Sequence, residues 1–264
     1  ALALNGQLNV DVLIPEDSGA GLQAAAQDML DAFSAISGAE SAQPLRGGVE
    51  AVAKPAAVYV KIDADADAEL GEQGYSLACG IQEPQKKVLA ITARNETAAL
   101  YGIYHVLGDM GVLYFHPEET YFPQNAAAVL PWSYNGEIQK PRFAIRGFHE
   151  HTQHPIVMSD AFLRPGHDDF RQYASDYIRW MARNRQNLIS WQMLKTVDLD
   201  EWLPYITDII NEAHQYGVMV SMFISFVDQQ QNMFKLIDEE ALDPESGLPL
   251  SDEQQIKDGL DRLM

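Results

Sequence analysis

The apolar pattern of the chain changes character at Arg142. Before it, short strand-like runs mix with two helical stripes. LNVDVLI, Leu8 to Ile14, is bounded by Asn5-Gly6 and Pro15 and reads as a strand. Leu22, Ala25, Ala26, Met29, Leu30, Phe33 and Ile36 recur at three- and four-residue steps. They predict an amphipathic helix that opens at Ser18 or Gly19 and stops at Gly38. A polar loop runs to Pro55, and AVYVKI, Ala57 to Ile62, is a second strand. Gly74 to Cys79 and Lys87 to Thr92 read as a hairpin pair around the turn from Gly80 to Gln85. Asn95 caps a second helix carrying Ala98, Leu100, Tyr101, Tyr104, Val106 and Leu107, ended by Gly108 and Gly111. Val112 to Phe115 is a short apolar strand broken by His116-Pro117. Pro117, Pro123, Pro131 and Pro141 then mark a linker with one apolar segment, Ala126 to Trp132.

After Arg142, strands and helices of about 15 residues alternate. Phe143 to His149 is the first strand, followed by a helix opening at Asp168 or Asp169 with the stripe Phe170, Tyr173, Ala174, Tyr177, Ile178 and Met181. NLISWQML, Asn187 to Leu194, is a buried strand. A helix from Asp200 carries Trp202, Leu203, Ile206, Ile209, Ile210 and Ala213 and ends at Gly217. VMVSMFISFV, Val218 to Val227, is a third strand, and Ser251 to Leu263 is a further helix. Repeated βα units imply a parallel sheet, and near-continuous apolar strands imply cover on both faces. Three such units cannot close an eight-stranded barrel, which takes about 250 residues. The alternatives are a small open sheet or a barrel that stops partway, and the helical pattern at Leu263-Met264 favours the second. The expected fold class is α/β. A small α+β domain over residues 1–135 precedes, over residues 136–264, the first βα units of a truncated (β/α)8 TIM barrel.

Composition narrows the function. A net charge of −20 makes nucleic acid and anionic membranes poor partners. No apolar stretch of about 18 residues is present, so nothing inserts into a membrane. The alternation Asp63, Asp65, Asp67 lacks the glycine turn and distal glutamate of a calcium loop and reads as a solvated turn. Cys79 is the only cysteine, which excludes an internal disulfide and a cysteine-based zinc site. That suits a cytoplasmic protein and equally a bacterial secreted one. The chain opens ALALNGQ without an initiator methionine, so either a signal peptide was removed or the sequence starts downstream. No strand is followed by a Gly-x-Gly-x-x-Gly turn, and no cofactor is expected.

Two stretches resemble a known group. TAALYGIYHVLGDMGVLYFHP, Thr97 to Pro117, is similar to the end of the small domain that precedes the barrel in family 20 β-hexosaminidases, and similar domains precede the barrels of α-glucuronidases. PRFAIRG, Pro141 to Gly147, resembles the start of the barrel in the same enzymes, and YIRWMARNRQNLISWQML, Tyr177 to Leu194, their first helix and second strand. The resemblance implies a secreted or periplasmic exo-acting glycoside hydrolase with a carbohydrate substrate. The chain departs from the family where the third strand should end in Pro-Glu-x-Asp…Gly-His: it reads ISFVDQQQ, with Asp228 alone in a comparable place. Neither Glu239-Glu240 nor Asp252-Glu253 ends a strand, so the catalytic acids are expected beyond this chain.

The candidate site residues follow from the strand ends, where such a barrel builds its pocket. Arg146, placed inside the first strand, offers a rigid fork of donors for two hydroxyls or a carboxylate. The resemblance implies that it holds the terminal sugar, and the competing reading is a structural arginine. His149, Glu150 and His151 sit at the strand's mouth, with His149 and His151 on one face. They can line a sugar pocket, contribute to a metal site, or begin a solvated loop. Trp191 can stack on a sugar or pack in the core, and Asp228 can accept a hydroxyl or cap a helix. The alternatives to a glycosidase are a metal-dependent hydrolase using His149 and His151 and a non-catalytic carbohydrate-binding fragment.

Overall fold

The computed structural model describes residues 1–82, 86–124, 129–150, 156–224, 243, 245–246, 248 and 250–263. The chain divides into two units: Ala1–Arg146 with Arg179–Gln186 and Gln215–Gly217, and Gly147–Ile178 with Asn187–His214 and Val218–Met264.

The first unit opens with a hairpin, β1 (Ala3–Leu4) and β2 (Gln7–Leu8), turned by Asn5 and Gly6, both at positive φ as a tight type I′ turn requires. There follow β3 (Val10–Ile14), α1 (Ala20–Ser37), β4 (Leu45–Arg46), β5 (Ala56–Ile62), β6 (Tyr75–Gln82), β7 (Lys86–Ala93), α2 (Glu96–Asp109), β8 (Leu113–His116), β9 (Glu119–Tyr121) and β10 (Asn135–Gln139). One six-stranded sheet has the order β10-β6-β7-β5-β3-β4. Its β7, β5, β3 and β4 run parallel, and β6 and β10 continue it antiparallel. α1 and α2 pack on each other and on the sheet. Leu22, Ala25, Ala26, Met29 and Phe33 of α1 are buried with Val58, Val60, Leu89 and Ile91 of the strands, as the three- and four-residue periodicity requires. Gly102 lets α2 approach the sheet at backbone distance, since a Cβ there would meet Ile91 Cγ2 at 2.5 Å.

The two helices start differently. Asn95 caps α2 through its own side chain, which accepts the Ala98 N–H at 2.9 Å. α1 begins at Gly19, which has no side chain to offer. Both carboxylate oxygens of Glu96, from the first turn of α2, accept the Gly19 N–H at 2.9 and 3.1 Å. The Asp63–Asp67 run is a turn closed on itself, with Asp63 accepting the Asp65 N–H and Asp67 the Glu69 N–H.

The second unit contains β11 (Gly147–Glu150), α3 (Val157–Leu163), α4 (Asp168–Arg183, whose last residues belong to the first unit), β12 (Leu188–Gln192), α5 (Leu199–Gln215), β13 (Met219–Phe223) and α6 (Asp252–Leu263). The three strands form a parallel sheet in chain order. Its helix side is a stack of aromatic rings: Phe162 lies on Trp191 at 5.0 Å, and Tyr177 meets Phe162 and Phe148 edge-on. Trp202 of α5 is fully buried and its indole N–H donates to Phe162 O at 2.8 Å. No helix among the described residues is long and apolar enough to cross a membrane.

Several sequence expectations change. The linker after Pro117 contains strand β10, paired with β6 at the sheet edge. β8–β9 is a hairpin rather than a lone strand, and α3 was not anticipated. The first strand of the second unit starts at Gly147, four residues later than its apolar pattern suggests. The reason is a side chain: Nη1 of Arg146 donates to Phe143 O at 2.7 Å and Ala144 O at 3.4 Å, folding the chain back so that these carbonyls serve no ladder. Phe143 and Ile145 are left 66% and 61% exposed.

Candidate functional site

β11 and β12 pair so that Phe148 faces Ile189, His149 faces Ser190 and Glu150 faces Trp191; in β12 and β13, Ser190 pairs with Ser221 and Trp191 with Met222. Paired residues of parallel strands point to the same face, and neighbours along a strand to opposite faces. The sheet therefore has two distinct sides. Phe148, Glu150, Ile189 and Trp191 face the helices. Gly147, His149, Leu188, Ser190, Met219, Ser221 and Phe223 face the other way.

That second side carries a polar row, His149–Ser190–Ser221, crossing all three strands. His149 is exposed, and its Nδ1 lies 3.0 Å from Ser190 Oγ. Met219 and Phe223 flank the row at 43% and 47% exposure. The arrangement puts one imidazole and two hydroxyls on the side of the sheet turned away from the aromatic stack, groups able to donate to and accept from sugar hydroxyls.

Glu150 is placed on the opposite side. It is half-buried and accepts the Tyr177 O–H at 2.5 Å. Burial, and then the Glu150 carboxylate, hold the Tyr177 phenol well above its ordinary pKa, so it stays a donor. Trp191 is fully buried in its stack with Phe162, and its indole N–H has no acceptor among the described residues. Arg146 precedes β11 rather than lying within it. Besides the Phe143 and Ala144 carbonyls, it donates through Nε to Arg185 O at 2.8 Å and through Nη1 to Gln73 Oε1 at 2.7 Å, and its guanidinium lies 5.4 Å from the centre of the Tyr101 ring. His151 and Asp228 lie outside the described residues.

The structure thus places His149 in the row while Glu150 and Trp191 sit behind the sheet. Ser190, Ser221 and Tyr177 were missed in the sequence. Two lone serines, each two residues after the first residue of its strand, were the available signal; their alignment needs the register. Glu150 is the only carboxylate on the three strands. Among the described residues no three His, Cys, Asp or Glu side chains gather closely enough to hold a metal.

No family model matches the chain, and no curated protein matches it in sequence. Solved structures do match. A family 115 4-O-methyl-α-glucuronidase with specificity for decorated arabinogalactans is 13% identical over 83% of this chain and 29% of its own, with a TM-score of 0.55. The family 20 chitobiase of Flavobacterium johnsoniae is 15% identical over 84% of this chain and 32% of its own, with a TM-score of 0.47. The family 20 exo-β-N-acetylglucosaminidase of Vibrio harveyi is 14% identical over 84% and 33%, with a TM-score of 0.48. The chain spans about a third of the length of these structures. At such identities the glucuronidase shows a shared fold: this mixed α/β chain is built like part of a glycoside hydrolase.

Proposed function

We propose that this chain is the amino-terminal portion of a glycoside hydrolase acting on a terminal sugar of a glycan or polysaccharide. In this reading residues 1–135 are a small α/β domain and residues 136–264 begin a (β/α)8 catalytic barrel, in a secreted or periplasmic protein. The observation that carries the reading is the polar row His149–Ser190–Ser221, on the side of the sheet turned away from Tyr177 and Phe162, on parallel strands that follow one another in chain order. Consecutive parallel strands with helices on one side are how a barrel begins, and the other side becomes its interior. A barrel interior is ordinarily packed with branched apolar residues, so a polar row there suits a substrate mouth. The fold shared with the glucuronidase supports the same reading.

The roles divide by face. His149 is held by Ser190 and presents its remaining ring nitrogen to a sugar hydroxyl. Ser221 adds a second polar contact. Glu150 and Trp191 support the strands from behind, with Tyr177 and Phe162 as their partners. Glycoside hydrolysis needs two carboxyl groups flanking the bond, or one with assistance from an N-acetyl group. Glu150, turned away and occupied by Tyr177, supplies neither, so the reading assigns the pair to further strands of the parent protein. The test is an assay of the parent protein against aryl glycosides, including N-acetylhexosaminides and glucuronides. Turnover of at least one is expected, and absence of turnover across the panel overturns the reading.

A further inference from the structure

Lys140, Arg142, Arg146, Arg185 and His105 line a single cavity of about 270 Å³ that lies wholly within the first unit. Among the described residues, no acidic one lines it. In a chain with 38 acidic and 18 basic residues, four of the basic ones border one hollow, which focuses a positive potential where the molecule as a whole is strongly negative. Among the described residues no ion pair involves Lys140, Arg142 or Arg185.

The cavity is built rather than incidental. Arg146 is oriented at its wall by the carbonyls of Phe143 and Arg185 and the side chain of Gln73. Tyr75 joins His105 Nδ1 at 2.9 Å and receives Arg185 Nη1 at 3.5 Å, and His105 Nε2 stands 3.4 Å from Asp109. Arg185 itself adopts φ 58°, the left-handed conformation that usually falls to glycine after a helix. The chain tolerates that conformation with a residue whose side chain lines the cavity. Tyr75, Tyr101 and Phe143 supply flat apolar walls beside the charges.

We propose that this cavity binds a small organic oxyanion: one carboxylate, sulfate or phosphate group on a body about the size of a monosaccharide. Guanidinium groups pair with all three in fork-like geometry, and the aromatic walls suit a ring.

Calorimetric titration of the 264-residue chain at low ionic strength tests this, with inorganic phosphate, inorganic sulfate and a hexuronate as probes and glucose as the uncharged control. Saturable binding of at least one anion, at least about tenfold tighter than glucose, is expected. Preference for the planar carboxylate of the hexuronate or for the tetrahedral anions identifies the group. Lys140→Glu combined with Arg142→Glu alters two exposed positions and is expected to lower affinity at least about tenfold with an unchanged melting temperature. Arg185→Gly relieves the left-handed conformation, so it is expected to hold or raise the melting temperature while weakening binding. No saturation by any anion, equal binding of glucose, or undiminished affinity in the folded charge-reversed variant would each overturn the proposal.

Discussion

Arg183 clasps Asp28 across 155 positions of sequence, Nε to Oδ2 at 2.8 Å and Nη2 to Oδ1 at 2.9 Å. Tyr104 donates its O–H to the same Oδ2 at 2.8 Å, and the guanidinium lies over the Tyr114 ring. Burial works against the charged guanidinium, but the Asp28 carboxylate outweighs it and holds the Arg183 pKa above its ordinary value. Asp28→Asn leaves that cation among aromatic rings without its anion. The pair is about one-fifth exposed, so the expected loss is below that of a fully buried pair, about 2 kcal/mol by urea unfolding. A loss within error of zero would show the clasp to be ornamental.

Gly147 sits where β11 meets β12, and a Cβ there would stand 1.7 Å from Leu188 O. The contact is with backbone, which has no rotamer to yield. Gly147→Ala is expected to break the pairing of the two strands and cost more than about 2 kcal/mol. Far-UV circular dichroism and denaturant melts check it; a wild-type melt means that the strands close at another spacing.

Much of this architecture was legible beforehand. α1 and α2 were readable because Leu22 through Ile36 and Ala98 through Leu107 repeat at helical spacing and bury one stripe. The beginning of β11 was not, because Phe143 and Ile145 look like strand residues and only the distant choice of Arg146 to bond their stretch of backbone excludes them from the ladder. β10 escaped notice because Asn135–Gln139 is an edge strand with few buried side chains, so it lacks alternation. At the site, His149 announced itself as a polar residue ending a strand. Ser190 and Ser221 became meaningful through register, which joins residues 31 and 41 positions away and leaves no local trace. The left-handed Arg185 was equally hidden, since the sequence rule expects glycine there.

His149 and Ser190 separate binding from folding. His149 is exposed and Ser190 half-buried, both turned away from the aromatic stack, so His149→Ala and Ser190→Ala are expected to change stability by less than about 0.5–1 kcal/mol. If the parent protein is the glycoside hydrolase proposed above, each is expected to lower its kcat/KM, His149→Ala by about tenfold or more. Steady-state kinetics on the best aryl glycoside provide the check. Unchanged kinetics in both variants remove the row from the substrate site.

His105 gives the protein a pH dependence of defined sign. Burial, and to a lesser degree Arg185, lower its pKa below 6.5, while Asp109 on the same helix opposes them; Tyr75 and Tyr134 are its uncharged ring neighbours. With the folded pKa depressed, the unfolded chain takes up the proton first as pH falls. The contribution is therefore complete above about pH 6.5 and is lost as pH drops through the folded value. Melting temperatures between about pH 7.5 and 5.5 are expected to decline, and His105→Gln to flatten that decline. Identical slopes would assign the dependence to other groups.

The carboxylate of Glu96 at the start of α1 has a kinetic consequence. A helix capped by its own side chain can start alone, as α2 can through Asn95. α1 cannot acquire its cap until a residue 77 positions away has arrived. Its first turn is thus expected to be secured only when the two helices meet, and the pair to open and close as one cooperative block. Exchange of the Gly19 amide then reports the separation of the helices rather than the fraying of an end.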